Sequence, residues 1–236
     1  MSLIRIVDFE TSAMEPTEAK VIEVGTCDMV QDAGGWNIAD PVSRLCGGVT
    51  SIDPGARAAH HISIRDLATS GPFVPRDFRA QIEEDGVVVL AAHNAEFEVK
   101  FFEPPVPIIC TYKCALRVWP HAPSHSNGAL RYWLQDQSII DPDHEKTMPA
   151  HRAGPDAYVT AHLLKALLVT ITAKQMVAWS REPRLLPKCP LGKFRGKPWH
   201  EVEAGFLNWM LNQADMDADL KWNAQQEIDR RRNASA

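Results

Sequence analysis

Nowhere in the 236 residues does an uninterrupted apolar run approach the ~18 residues of a membrane span, so no transmembrane helix is expected. A cationic start, an apolar signal core and a cleavage site are also missing ahead of the first strand-like run, so no export signal is expected. The five cysteines, Cys27, Cys46, Cys110, Cys114 and Cys189, form no C-x-x-C pair. Their odd number and irregular spacing suggest reduced thiols in a cytosolic protein. Positive charge is not in excess: the net charge is −5, and no global basic field advertises nucleic acid, although a local patch would suffice. Internal repeats and low-complexity tracts are absent. What is there, 45% hydrophobic and 23% charged residues, suits a soluble chain that buries a sizeable core. The length fits one large domain, or a medium one plus a small one.

The apolar pattern places a strand at "LIRIV" and a second, partly alternating, at "KVIEVGTCDMV", with "SAMEPTEA" as the turn between them. "DPVSRLCGG" is a possible third strand, and the continuous run "VVVLAAHN" suits a strand buried on both faces. "AEFEVKFF" reads as helix, "PVPIICTYKCALRVW" as strand then helix, and "SNGALRYWLQ" as a helix capped by Ser126 or Asn127. "GPDAYVTAHLLKALLV" is the clearest helix, with Pro155 in its opening turn. "TAKQMVAWSRE" opens with a capping box from Thr172 to Gln175. Leading strands followed by alternating strands and helices predict an α/β layered sheet. Pro183, Pro187 and Pro190 mark a linker. Beyond it lie "LGKFRGKPW", a hairpin or extended turn, and the helices "EVEAGFLNWMLN" and "DADLKWNAQQEIDRRR". The expected division is 1–180, a linker over 181–190, and a small unit over 191–236.

Residues 4–12, "IRIVDFETS", put Asp8 and Glu10 at the end of the first strand. Residues i and i+2 of a strand share a face, so the two carboxylates point the same way and repel. A divalent cation would turn that repulsion into coordination, because Mg²⁺ takes oxygen ligands from one or two carboxylates plus phosphates and water. A D-x-E alone is common on solvated strand ends. It gains weight from Asn94 and Glu98, just after a buried strand, and from His151 and Asp156, where the helix dipole favours a carboxylate.

The ordered set "DFET", "HNAEFE" and "HRAGPDA" resembles the DEDDh 3′–5′ exonucleases, whose signature is an early D-x-E, a middle H-N-A-x-F-D and a late H-x-x-x-x-D. The likeness runs over about residues 3–170, with a further stretch over about 190–215. It implies an RNase H-like mixed sheet flanked by helices, with a small C-terminal helical tail domain. It also implies two divalent cations, Mg²⁺ with Mn²⁺ as substitute, and release of 5′-mononucleotides from DNA 3′ ends. Asp8, Glu10 and Asp156 would hold the first ion, Asp8 bridging to the second, and His151 would be the general base. One ion activates a water and the other stabilises the departing 3′-oxygen. An ordinary imidazole titrates near 6.5, which suits proton abstraction at neutral pH. The middle motif departs from the pattern: it ends in Glu98 where the family has Asp, which keeps the carboxylate one methylene further out. Glu96, two positions away, should face elsewhere.

By the same resemblance, Phe9, Thr11 and Ser12 lie beside the terminal nucleotide, Met14 is a wedge against the last base, and His60 in "AAHHIS" sits in the family's histidine loop. Lys193, Arg195 and Lys197 of "GKFRGK" could follow a phosphate backbone. Trp199, Trp209 and Trp222 are expected in the core of the tail, and the terminal "RRR" as a solvated helix end. Two other readings stand beside a DNA exonuclease: a catalytically impaired nucleic-acid-binding module, with Glu98 marking decay, and a nuclease that trims RNA 3′ ends. Retention of four acids and His151 favours an active enzyme.

Overall fold

The structure is a computed structural model that describes residues 2–15 and 17–234; residue 16, inside the expected first turn, lies outside them. A six-stranded sheet forms the centre. Strand β1, Ser2–Thr11, runs antiparallel to β2, Val21–Asp32, and parallel to β5, Val89–Ala92; β5 in turn pairs in parallel with β6, Ile108–Cys110. Two short strands share the outer edge of β2: β3, Gly35–Ile38, and β4, Val42–Leu45. β4 is the expected third strand. β3 is additional, and Gly35, with φ 114°, makes the tight return from β2.

Helices α1, Pro54–His60, and α2, Pro75–Glu84, precede β5. Then follow α3, Thr111–Val118, α4, Asn127–Asp136, α5, Ala153–Thr170, and α6, Ala173–Ser180. Thr172 caps α6 by accepting the Gln175 N–H at 3.2 Å, one half of the capping box. Ser126 occupies the N-cap of α4, but its side chain accepts no capping bond. The stretch read as "AEFEVKFF" helix is only a 3₁₀ turn over Glu98–Lys100. A chain that must leave β5 through Asn94 in a left-handed conformation, φ 69°, has little room to build a full helix before Pro104 and Pro105.

Side-chain alternation divides the core. Ile4 and Ile6 of β1, with Cys27 and Met29 of β2, face α5 and pack on Ala157, Ala161, Leu164 and Leu167. Val7, Phe9 and Val24 face the other way, onto Phe78 and Ile82 of α2. Either cluster is dense enough that trimming one buried Leu or Ile to Ala costs about 2–5 kcal/mol. All five cysteines are free and buried. Among the described residues no helix is long and apolar enough to cross a membrane.

After α6 the chain takes an extended course to two 3₁₀ turns, Gly192–Phe194 and Trp199–Glu201, where a hairpin or extended turn was expected. Helices α7, Ala204–Asn212, and α8, Ala218–Ala234, complete the chain. Phe194, Val202, Leu207, Met210 and Ala224 form their own buried cluster. Trp199 and Trp222 are part-buried, whereas Trp209 is 47% exposed, unlike the core position expected for it. The extended course is pinned. The buried Lys113 ammonium donates to the carbonyls of Ser180 at 3.2 Å and Glu182 at 2.7 Å, and pairs with Glu96 at 2.6 Å. Asn223 accepts from the Leu186 N–H at 2.9 Å and donates to the Arg184 carbonyl at 2.7 Å.

Candidate active site

On the α5-facing side of the β1–β2 ladder, the opposed pairs are Ile4–Met29, Ile6–Cys27, Asp8–Gly25 and Glu10–Glu23. The face that is apolar in its first half becomes acidic in its second, beneath the start of α5. Gly25 explains how α5 comes so close. A Cβ there would lie 2.0 Å from the Ala153 carbonyl carbon, so only glycine lets the helix start rest on β2 opposite Asp8. Asp156, in the first turn, is thereby brought to the strand end.

Ligand atoms of Asp8, Glu10 and Asp156 all lie within 4.8 Å of one another. Burial raises the proton affinity of all three. Asp8 is pushed well above the usual carboxylate range by burial and then by the charges of Asp156 and Glu98. Burial, with Asp156 and Glu23 adding repulsion, lifts Glu10 to about 8. Asp156 reaches only about 6, because His151 offsets part of the burial cost. Glu98 is 3% exposed, is raised by burial to about 8, and has one carboxylate oxygen, Oε2, buried without a hydrogen-bond partner. Such an orphaned acceptor costs free energy unless a cation or donor arrives. Three carboxylates within reach of one ion fit a divalent-cation site; Glu98 lies outside that group of three, near enough for its charge to raise Asp8. Glu96 points elsewhere, to Lys113, as its position predicts.

His151 is exposed and takes φ 58°, a left-handed conformation uncommon outside glycine, at the last turn before α5. Its backbone N–H bonds the Asp156 carboxylate. Next to it, Arg152 donates to the fully buried Glu23 through Nε at 2.9 Å and Nη2 at 2.6 Å, and the Ala153 N–H adds a third bond at 3.0 Å. The sequence reading missed Glu23, Gly25 and Arg152. The signal was present: Glu23 is an acid in an alternating apolar strand, on the parity of Cys27 and Met29, and acids are rarely buried unless paired.

The remaining expected residues divide. Phe9 faces away from the carboxylates, ringed by Phe73, Phe78, Phe101 and Phe102 at 5.4–6.3 Å. Thr11 donates its hydroxyl to the Ala13 carbonyl at 2.8 Å, and Ser12 Oγ accepts from the Lys20 N–H at 3.0 Å, so both brace the loop after β1. Met14 is 65% exposed at that loop. His60 is buried: Nδ1 accepts the Ile62 N–H at 3.0 Å, and Nε2 has no hydrogen-bond partner among the described residues. Lys193, Arg195 and Lys197 lie on the C-terminal segment. Lys193 pairs with Glu203 at 3.0 Å, Arg195 donates to the Pro190 carbonyl at 3.1 Å, and Lys197 has no side-chain partner among the described residues.

No family model matches the chain. Exodeoxyribonuclease 10 of Escherichia coli K12 is 31% identical over 229 residues, 93% of this chain and 96% of that protein. A solved exonuclease X in complex with 5′ overhanging duplex DNA superposes with a TM-score of 0.58 and 29% identity, covering 75% of this chain and 99% of that one. The nuclease domain of 3′hExo, a DEDDh family member bound to rAMP, shares the fold at 16% identity and a TM-score of 0.53, over 71% of this chain and 92% of that one. With the acidic cluster at the end of β1 and a relative matched over almost its whole length, the chain belongs to the DEDDh family of 3′–5′ exonucleases.

Proposed function

We propose that the chain is an exodeoxyribonuclease that removes 5′-mononucleotides from DNA 3′ ends and works with Mg²⁺, for which Mn²⁺ substitutes. The observation that carries this reading is the convergence of Asp8, Glu10 and Asp156 within 4.8 Å, beside the orphaned Glu98 oxygen. Asp8, Glu10 and Asp156 would hold one cation, and Glu98 with Asp8 a second. Bound there, two such ions neutralise the scissile phosphate and ease the attack of water.

The protein's own part is positional and protolytic. Burial raises the proton affinity of all four acids, and a bound cation would favour their charged forms. One ring nitrogen of His151, at the exposed lip before α5, accepts a proton from the attacking water. The water oxygen then bonds to phosphorus as the bond from phosphorus to the 3′-oxygen breaks, and that oxygen is protonated from solvent. The products are a 5′-mononucleotide and a strand one residue shorter. Thr11, Ser12 and Asn94 shape the cradle of the terminal nucleotide through their backbone. Met14, solvent-exposed on the loop after β1, is the wedge against the last base. We place the catalytic unit at 1–180, and assign the C-terminal segment over 191–236 to binding rather than chemistry.

The test is cleavage of end-labelled DNA and RNA oligonucleotides of one sequence, each with Mg²⁺, Mn²⁺ and EDTA. Stepwise 3′ shortening of DNA with either metal and none in EDTA is expected. Preference for RNA would move the assignment to an RNA-trimming enzyme, and binding without shortening in either metal would move it to a nucleic-acid-binding module.

A further inference from the structure

Two cavities meet at the junction between the sheet's helices and the C-terminal segment. The smaller, about 420 Å³, starts at His93 and Asn94 and passes Tyr112 and Ser126. The larger, about 540 Å³, lies between the loop after α3 and the extended course after α6. His125 and Arg184 line both, so they form one groove. Its inner end is tied to the site through two asparagines. Asn94 lies in the segment that carries Glu98, and Asn127, next to Ser126, donates to the Asp156 carbonyl at 3.1 Å.

The walls of the outer part are apolar and stiff: Pro120, Pro123, Leu186 and Pro187. The Trp199 Nε1–H donates to the Leu186 carbonyl at 2.7 Å and fixes that wall. The polar groups of this part are His121, His125, Arg184, Lys188 and Asp217. Arg184 is held by Asp219 and Asp217 and keeps further guanidinium donors. Asp217 also accepts from the N–H groups of Asp219 at 2.9 Å and Leu220 at 3.2 Å, and the charge of Arg184 is offset by Asp217 and Asp219 together. Lys188 is exposed and has no ion pair among the described residues, and His121 stands exposed at the same rim. In a chain of net charge −5, flat apolar walls beside a lysine without an ion pair form a specific combination. It suits bases lying against the prolines and the His121 imidazole, with a phosphate at Lys188 and at the remaining Arg184 N–H donors, as at single-strand binding grooves.

We propose that this groove is a second nucleic-acid subsite, seating unpaired nucleotides of the strand whose 3′ end lies at Asp8, Glu10 and Asp156. It rests on the nuclease reading above and adds where the strand goes. The groove is built partly by the segment after α6, so the C-terminal unit contributes directly to the substrate track.

The experiment measures affinity for single-stranded DNA of three and of twelve nucleotides, with Mg²⁺, in an Asp8→Asn background that does not cleave. Lys188→Glu reverses the rim charge. His121→Cys, in a chain whose native cysteines are all buried, allows a bulky maleimide to plug the groove, the unlabelled variant being its control. The unmodified groove should bind the longer oligonucleotide more tightly. Lys188→Glu and the plugged protein should each cut that gain roughly tenfold, the scale of one lost stacked base or phosphate contact. Absence of any length gain, or a gain that both changes leave intact, overturns the proposal. So does a result in which they weaken only free 5′-mononucleotide binding. Failure of the protein with native Asp8 to shorten any strand would sink the nuclease reading alone, because the groove is judged by binding.

Discussion

Glu23 and Arg152 form a two-point ion pair across the gap between β2 and the start of α5, with the carboxylate fully buried and accepting at 2.6 and 2.9 Å. The pair fixes the residue that follows His151 to the strand residue that faces Glu10. It therefore sets the distance between the two halves of the site. Arg152 is part-exposed, so the cost of breaking the pair falls below the about 3–5 kcal/mol of a fully buried one. Glu23→Ala should destabilise the fold by about 1–3 kcal/mol and lower kcat more than it raises KM. His151→Ala should lower kcat by about 10²–10⁴-fold, the worth of a positioned base, with the melting temperature nearly unchanged. Denaturant melts beside steady-state kinetics separate the two. A Glu23→Ala enzyme with normal kcat would show that the pair serves stability alone.

Without a divalent cation, the cluster should make stability fall as pH rises. The folded values of about 8 for Glu10, about 8 for Glu98 and about 6 for Asp156 stand above the ordinary carboxylate value of about 4. The folded state therefore binds more protons than the unfolded one. That contribution is complete below about pH 4 and is lost as pH passes through 6 to 8. Melting temperature in EDTA should drop across this window, and Asp8→Asn should lessen the drop while abolishing cleavage. A shift of about 2–4 °C accompanies each kcal/mol in a chain of this size. Mn²⁺ should raise the melting temperature more at pH 8 than at pH 6. Equal shifts at both would speak against a carboxylate-held ion.

Glu98 adds a methylene where the family keeps Asp, and its orphaned oxygen shows that the longer arm finds no protein partner. Mg²⁺ demands near-ideal octahedral geometry. Single-turnover rates should show activity with both metals and a large preference for Mn²⁺. Glu98→Asp should hold or raise the Mg²⁺ rate, and Glu98→Ala should lose most activity with either. Full activity in Glu98→Ala would remove this residue from the metal set.

Among the tail cations, the structure separates one that is spent from one that is available. Lys193 is paired with Glu203, whereas Lys197 has no side-chain partner among the described residues. If the tail grips phosphate, Lys197→Ala should reduce the slope of log affinity against log salt by about one, and Lys193→Ala by less. Equal slopes in wild type and both variants would assign the tail to another partner.

How much of this was legible depended on the length of the pattern. The carboxylates of β1 were readable because strand periodicity is two and needs only Asp8 and Glu10. Helix α5 was readable because eighteen residues carry a long apolar record. Helices α1 and α2 escaped because Pro54 and Pro75, which open them, look like breaks in a linear reading. The helix expected at Glu98 failed because local composition cannot register the left-handed turn at Asn94. Glu23 and Arg152 are 129 positions apart, and nothing local announces a partner at that range. The groove at Arg184 and Lys188 was read as linker for the same reason: its opposite wall comes from residues 120–125.

The Lys113 ammonium bears on where the chain can be shortened. It is sealed from solvent by its bonds to Ser180, Glu182 and Glu96. Cutting after residue 180 removes the Glu182 carbonyl and leaves the Lys113 ammonium facing a gap, paired with Glu96, which lies two positions along the chain from Glu98. A nuclease unit expressed without the tail should therefore be cut beyond Glu182, two residues past the end proposed above, to keep the Lys113 bonds. A shortened protein that keeps Glu182 retains the seal. One that stops two residues earlier must admit water beside its own catalytic loop.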